Sequence, residues 1–217
     1  MKINGVLLST AYFPPVEYFA AIANAERVLL ERCETFQKQS YRTRCTIYGA
    51  NGLLSLTIPV KRDPTHKCPI ESVEVDYSTP WILQHKRAME AAYMTTPFFE
   101  YYRDDIYALL ERKEPSLFTL NLSIIELFAE FAGIRCNISF TEKYYRSEEL
   151  QGMEIADLRE RIHPKYKGPS LLEEMQIEKP YYQVFSNKQG FIPNLSMLDL
   201  LSNEGPGAIS FLKAESY

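Results

Sequence analysis

Paired cysteines are missing from this chain. Its four cysteines, Cys33, Cys45, Cys68 and Cys136, are too far apart for a CxxC knuckle, which excludes a zinc ribbon and a disulfide scaffold. They read instead as buried, reduced thiols. Glycine is scarce, at nine residues, and neither G-x-G-x-x-G nor a Walker phosphate loop occurs. H-E-x-x-H and G-x-S-x-G are absent too, removing the zincin and α/β-hydrolase readings. His66-Lys67-Cys68 sets two metal-ligand types two apart, but nothing nearby completes a set of four, so no metal is expected. No stretch of 18 apolar residues exists, so no membrane-crossing helix is expected. The opening MKINGVLLSTAYFPP has one lysine and an apolar run too short for a signal-peptide core, and the protein is expected to be cytoplasmic. Positive charge is not in excess: the net charge is −4, which argues against nucleic acid as a partner. There is no internal repeat and no low-complexity tract.

What is present fits an α/β protein. Its 217 residues suit one domain over 1–217. GVLLST (5–10) is β-rich, Pro14-Pro15 ends the run, and Pro15 suits a first helical turn. Tyr18, Phe19, Ile22 and Ala23 recur at helical spacing, and Val28–Leu30 is a second apolar strand. Strand–helix–strand openings build parallel sheets. SYRTRCTIY (40–48) alternates, Asn51-Gly52 is a tight turn signal and LLSLTIPV follows, predicting a β-hairpin. A strand is expected over 70–77. Three helices, each opened by a polar residue and proline, are expected from Pro80, Pro97 and Pro115, the last ending at Gly133. CNISF (136–140) is a further strand. Residues 143–179 hold 15 charged side chains and read as a solvated excursion rather than core. In the tail, an aromatic strand, a turn at Gly190 and a capping box from Ser196 to Asp199 are expected. The fold expected is a Rossmann-like parallel or mixed sheet with flanking helices, a β-hairpin and a three-helix segment. It comprises an α/β core (1–142), the charged excursion (143–179) and a C-terminal segment (180–217) packing back on that core.

The candidate chemistry is a polar cleft. Arg42 and Arg44 on a strand share a face, about 6.6–7 Å apart along it, and could grip a phosphate or carboxylate bidentately. Lys61 and Arg62 could join them across the hairpin. The alternative is a solvated face paired with Glu31 or Glu34. His85 lies four residues from both Trp81 and Met89. A histidine so placed is more often a satisfied, partly buried residue than a base, yet it is the best acid/base available, with Glu17 or Glu90 as carboxylate partner. Tyr182, Gln183 and Asn194 beside glycine-containing turns suit a polyhydroxylated ligand if they line a cleft. The Tyr12–Tyr18 loop joins strand to helix, where substrates of parallel sheets often bind. Its outline is that of cytidylyltransferase-like folds, but Glu17 and Tyr18 stand where those enzymes carry histidines.

An ordered set of residues resembles one family. Tyr12-Phe13-Pro14 and Glu17-Tyr18-Phe19 match the later part of an opening pattern His-Gln-Pro-x-Tyr-x-Pro. Phe36-Gln37-Lys38 with Arg42 and Arg44, Thr57-Ile58-Pro59-Val60, Trp81 with His85, Pro97-Phe98-Phe99 and Asn121 continue it. Tyr182-Gln183, Phe191 to Ser196 and Asp199-Leu200-Leu201 complete it. The chain thereby resembles the WbqC-like proteins of bacteria. The resemblance implies surface-polysaccharide biosynthesis of the O-antigen type, with a sugar-modifying transferase role. The family's His-Gln is replaced here by Ser9-Thr10 or Thr10-Ala11. Taken together, the expectation is a transferase acting on a nucleotide-linked sugar or related anionic glycan precursor. Catalysis would fall to His85 and Glu17, and binding to Tyr12, Tyr18, Arg42, Arg44, Lys61, Tyr182, Gln183 and Asn194. The alternative is a non-catalytic binding or assembly protein of the same pathway. No cofactor is specified, and a homo-oligomer is compatible. Arg42→Ala is expected to weaken an anionic ligand by about 1–3 kcal/mol.

Overall fold

A computed structural model describes residues 3–61 and 68–214. β1 (Ile3–Ser9) leads through α1 (Val16–Asn24) into β2 (Ala25–Glu31). The two strands pair in parallel, Val6 with Val28 and Leu8 with Leu30. Val6, Leu7 and Leu8 are fully buried, as expected for a strand covered on both faces, which reads as a continuous apolar run. A hairpin follows, β3 (Arg44–Gly49) and β4 (Gly52–Thr57), closed through Ala50 and Asn51 with Gly49 opposite Gly52. Gly52 has φ +106°, a backbone conformation that calls for glycine.

Three helices come next: α2 (Trp81–Tyr93), α3 (Phe99–Glu111) and α4 (Leu117–Phe131). Leu117, Leu120, Ile124 and Phe128 of α4 are buried on one stripe. The α4 cap is Ser116, whose Oγ accepts the Thr119 N–H. Ser116→Ala should lower stability by about 1 kcal/mol in urea denaturation, with Ser116→Asp recovering most of it. The chain then forms β5 (Ile138–Phe140), α5 (Ser147–Gly152), β6 (Ile155–Asp157), α6 (Leu171–Glu174), α7 (Ser186–Gln189) and α8 (Met197–Glu204).

The sheet order is β5-β2-β1-β6, all parallel. Taken in chain order these are the third, second, first and fourth strands of the sheet, the first Rossmann half with one strand added across the switch point. The parallel sheet, hairpin and three-helix segment thus agree with the expected fold. Among the described residues, no helix is long and apolar enough to cross a membrane.

Several local expectations are corrected. Residues 70–77 open with a 3-10 turn at Ile70–Ser72. They then make only isolated bridges, Val75 with Val60 and Glu74 with Ser116; the chain there lies between hairpin and α4 with no continuous strand beside it. Residues 143–179 are not simply a solvated excursion. Their β6 pairs with β1, and Leu150, Ile155, Leu158, Ile162, Leu171 and Leu172 are buried. A three-residue strand is too short to show a period. The aromatic strand expected near 181 is irregular chain entering α7. Only the first half of the tail capping box forms: Ser196 Oγ accepts from Leu198 N–H, while the Asp199 carboxylate turns to Tyr181 and Gln183. Of the cysteines, only Cys45 is buried; Cys68 and Cys136 are half-buried and Cys33 is exposed.

Candidate functional site

In open parallel sheets the crevice lies outside the carboxyl ends of the strands, where the strand order reverses. Here that point is between β1, which runs on to β2, and β6, which returns from the far end of the chain. A small cavity lies there, lined by Leu8 and Ser9 at the end of β1, by Thr10 and Ala11 beyond it, by Tyr18 of α1, by Tyr41 and Arg42, and by Leu158 and Ile162 beyond β6. Its free volume is about 10 Å3, room for about one water.

Charge is concentrated under this crevice. Arg42 donates from Nε to Glu34 Oε1 (2.7 Å) and from Nη2 to Glu34 Oε2 (2.5 Å) and Ser9 Oγ (2.8 Å). Ser9 Oγ donates to Glu34 Oε2 at 3.0 Å, and Tyr18 OH donates to the Ser9 carbonyl at 2.9 Å. Arg42 is 2% exposed and Glu34 5%. Such a pair is stable only because its geometry is bidentate and the remaining groups are bonded. A second network continues along the strand ends. Arg159 reaches Glu31, both oxygens of Asp157 and the Tyr145 carbonyl, and its guanidinium lies 4.2 Å from the Tyr144 ring. Thr141 Oγ1 donates to Glu31. Asn121, fully buried, donates to the Arg42 carbonyl at 2.9 Å and to Thr10 Oγ1. The β1–α1 loop carries strain, because Phe13 is buried yet has φ +41°, a region bulky residues avoid.

The expected site residues divide among several places. Tyr18 and Arg42 line the crevice; Tyr18's hydroxyl is pushed well above its ordinary value by burial. Tyr12 and His85 meet elsewhere, Tyr12 OH lying 2.8 Å from His85 Nδ1, with the Trp81 ring 5.1 Å from the imidazole. Burial lowers His85 from 6.5 to about 4, against a backbone hydrogen bond at Thr57 that raises it. The ring is neutral at pH 7 and hydrogen-bonded within the core, the bland alternative for this position.

Glu17 and Asn194 come together at the α1 N-terminus. The Glu17 N–H donates to Asn194 Oδ1 (3.0 Å), Val16 N–H to the Leu195 carbonyl, and the Glu17 carboxylate accepts from Leu171 N–H. The amides that could have held a phosphate at this helix start are therefore taken by the chain's own tail. Gln183 is fully buried and bonds Asp199 and both backbone groups of Ile192. Asp199 is pushed up by burial, against hydrogen bonds from Tyr181, Gln183 and Tyr93. Tyr182 is 59% exposed.

Arg42 and Arg44 do not share a strand face, because β3 begins at Arg44 and Arg42 belongs to the preceding turn. Lys61 pairs with Glu74 in solvent, away from both. Arg62 and His66 lie outside the described residues. Among the described residues no three His, Cys, Asp or Glu side chains gather as metal ligands would.

From the sequence, Glu34 is only the partner of a solvated arginine face and Asn121 only part of the family pattern, while Arg159 and the Leu158–Ile162 stretch are missed. The signal available was the D-x-R-E-R run at 157–161 after the apolar pair Ile155-Ala156. A model of the WbqC-like protein family matches residues 10–166. The chain is 24% identical over 223 residues, covering 95% of itself and 96% of the relative, to the uncharacterized protein Rv1507c of Mycobacterium tuberculosis (strain ATCC 25618 / H37Rv). No solved structure matches it.

Proposed function

The chain belongs to the WbqC-like protein family, and from that premise we propose that it is a transferase acting on a nucleotide-linked sugar or related glycan precursor of surface-polysaccharide biosynthesis. One observation carries the reading: the buried Ser9–Glu34–Arg42 triad stands at the switch point of a Rossmann-ordered sheet, where such folds take their ligands. In this reading Arg42 is the anion contact, since Nη1 makes no hydrogen bond to a described residue. An incoming phosphate would compete with Glu34 for the guanidinium. The Glu34 carboxylate so released, beside the Ser9 hydroxyl, would serve as general base toward an acceptor hydroxyl. His85 then positions the Tyr12 loop and takes no proton.

A second reading, a non-catalytic binding or assembly protein of the same pathway, is favoured by the α1 N-terminus being filled by Asn194. The deciding experiment is a thermal-shift screen against UDP-, dTDP-, GDP- and CMP-sugars, followed by mass spectrometry of any donor that binds. A ligand held at 100 times its Kd should add about 2.7 kcal/mol. Binding with donor turnover that Glu34→Gln abolishes supports the transferase. Binding with no turnover favours the second reading, and no shift at millimolar ligand removes the nucleotide-sugar class.

A further inference from the structure

One short stretch of chain closes the crevice. Leu158 and Ile162 roof it, while its other lining comes from the β1 end, α1 and the turn before β3. Residues 160–169 form no helix or strand, and Ile162 is the single buried side chain among them. Both ends are pinned: Arg159 by four hydrogen bonds and Leu171 by the Glu17 carboxylate. Between the pins, two side-chain contacts tie the stretch to the rest of the described residues. Gln37 Nε2 donates to Glu160 Oε1 at 2.7 Å in solvent, and Arg161 Nη2 lies 2.9 Å from the half-exposed Glu174. One isoleucine, one exposed hydrogen bond and one ion pair from the largely buried Arg161 to the half-exposed Glu174 are few fastenings, the low-stability end from which lids are drawn.

The charge of the stretch is one-sided. Arg161, Lys165 and Lys167 stand against Glu160 alone, with His163 among them. Arg44 Nε and both Arg161 Nη1 and Nη2 are buried with no hydrogen-bond acceptor, Nη2 meeting Glu174 only as an ion pair, an unfavourable state that an anion would relieve. Burial holds His163 below its ordinary value; the charges of Arg42, Lys165 and Arg44 add to this, against Glu160.

We propose that residues 160–169 are a lid that opens onto the switch-point crevice without unfolding the rest of the protein and closes on an anionic group, which Arg44, Arg161 and His163 then meet. The ligand class rests on the reading under Proposed function. The roof side chain reports the motion directly. In full-length Ile162→Cys, the introduced thiol should react with N-ethylmaleimide about 100-fold faster than the core thiol Cys45, which is 1% exposed and reports whole-molecule opening. UDP or inorganic pyrophosphate at millimolar concentration should slow the introduced thiol about tenfold. In the unsubstituted protein, tryptic cleavage after Lys165 and Lys167 gives the same readout should the variant not fold. Equal rates for the two thiols would overturn the lid. A fast thiol that UDP does not slow, although UDP raises Tm, places the ligand elsewhere and overturns the lid while leaving the nucleotide-sugar reading intact. No slowing and no rise in Tm with either probe overturns both.

Discussion

Glu34→Ala should destabilise the protein by about 3–5 kcal/mol, because it strands a buried guanidinium without its counter-charge. Arg42 has 2% of its side chain exposed, and Ser9 Oγ alone cannot replace two charge-assisted bonds. Arg42→Ala should fall in the same range, leaving the carboxylate alone, so the binding loss expected from the sequence is overlaid by a larger loss of stability. The double replacement Glu34→Leu with Arg42→Met should recover most of the stability, since an apolar pair of similar volume removes both desolvation penalties. Urea denaturation of the four proteins at pH 7 measures this. A loss under about 1 kcal/mol in the single variants would be the value for a solvated pair, and would mean that the crevice stands open to water.

Acidification from pH 7 to pH 4 should remove about 3 kcal/mol through His85 alone. Burial lowers its folded value from 6.5 to about 4. Between those values the unfolded chain binds a proton that the folded chain refuses, so stability is retained above pH 6.5 and lost as pH falls toward 4. His85→Gln can still accept from Tyr12 OH but has no proton to take up. Its stability at pH 7 should be close to the parent's, and the parent's excess should shrink and reverse as the pH approaches 4. Identical pH profiles for the two proteins would mean that the imidazole is hydrated and free to titrate.

The fold was legible where pattern is long. The α1 and α4 stripes repeat a period over several residues, the Val6–Leu8 run is continuously apolar and Asn51-Gly52 is a local turn signal, and each formed the expected element. Where the partner is distant, pattern does not serve. Ile155–Asp157 becomes a strand because Leu7 and its neighbours offer a free ladder, not because three residues show an alternation. The site was half legible for the same reason. Arg42 and Tyr18 could be named from their types, but charge pairing in space cannot be read from type. Lys61 was drawn to Glu74 and Arg42 to Glu34. His85 looked available only because the ring of Tyr12, 73 positions away, could not be placed against it.

The pairing of β1 with β6 also governs how the chain must be made. β1 and β2 leave the ribosome together and can pair at once, but Asp157, opposite Leu7, follows about 150 residues later, some 10–30 s at ordinary elongation rates. Throughout that interval one edge of β1 lacks its strand, and Leu7 lacks Leu150 and Ile155, its partners in a small apolar cluster. An unpaired edge of Val6, Leu7 and Leu8 is a template for another nascent chain. Fragments ending before residue 155 should therefore aggregate even though they contain most of the core, and synthesis in the cell should call on a chaperone that shields one exposed strand until β6 arrives.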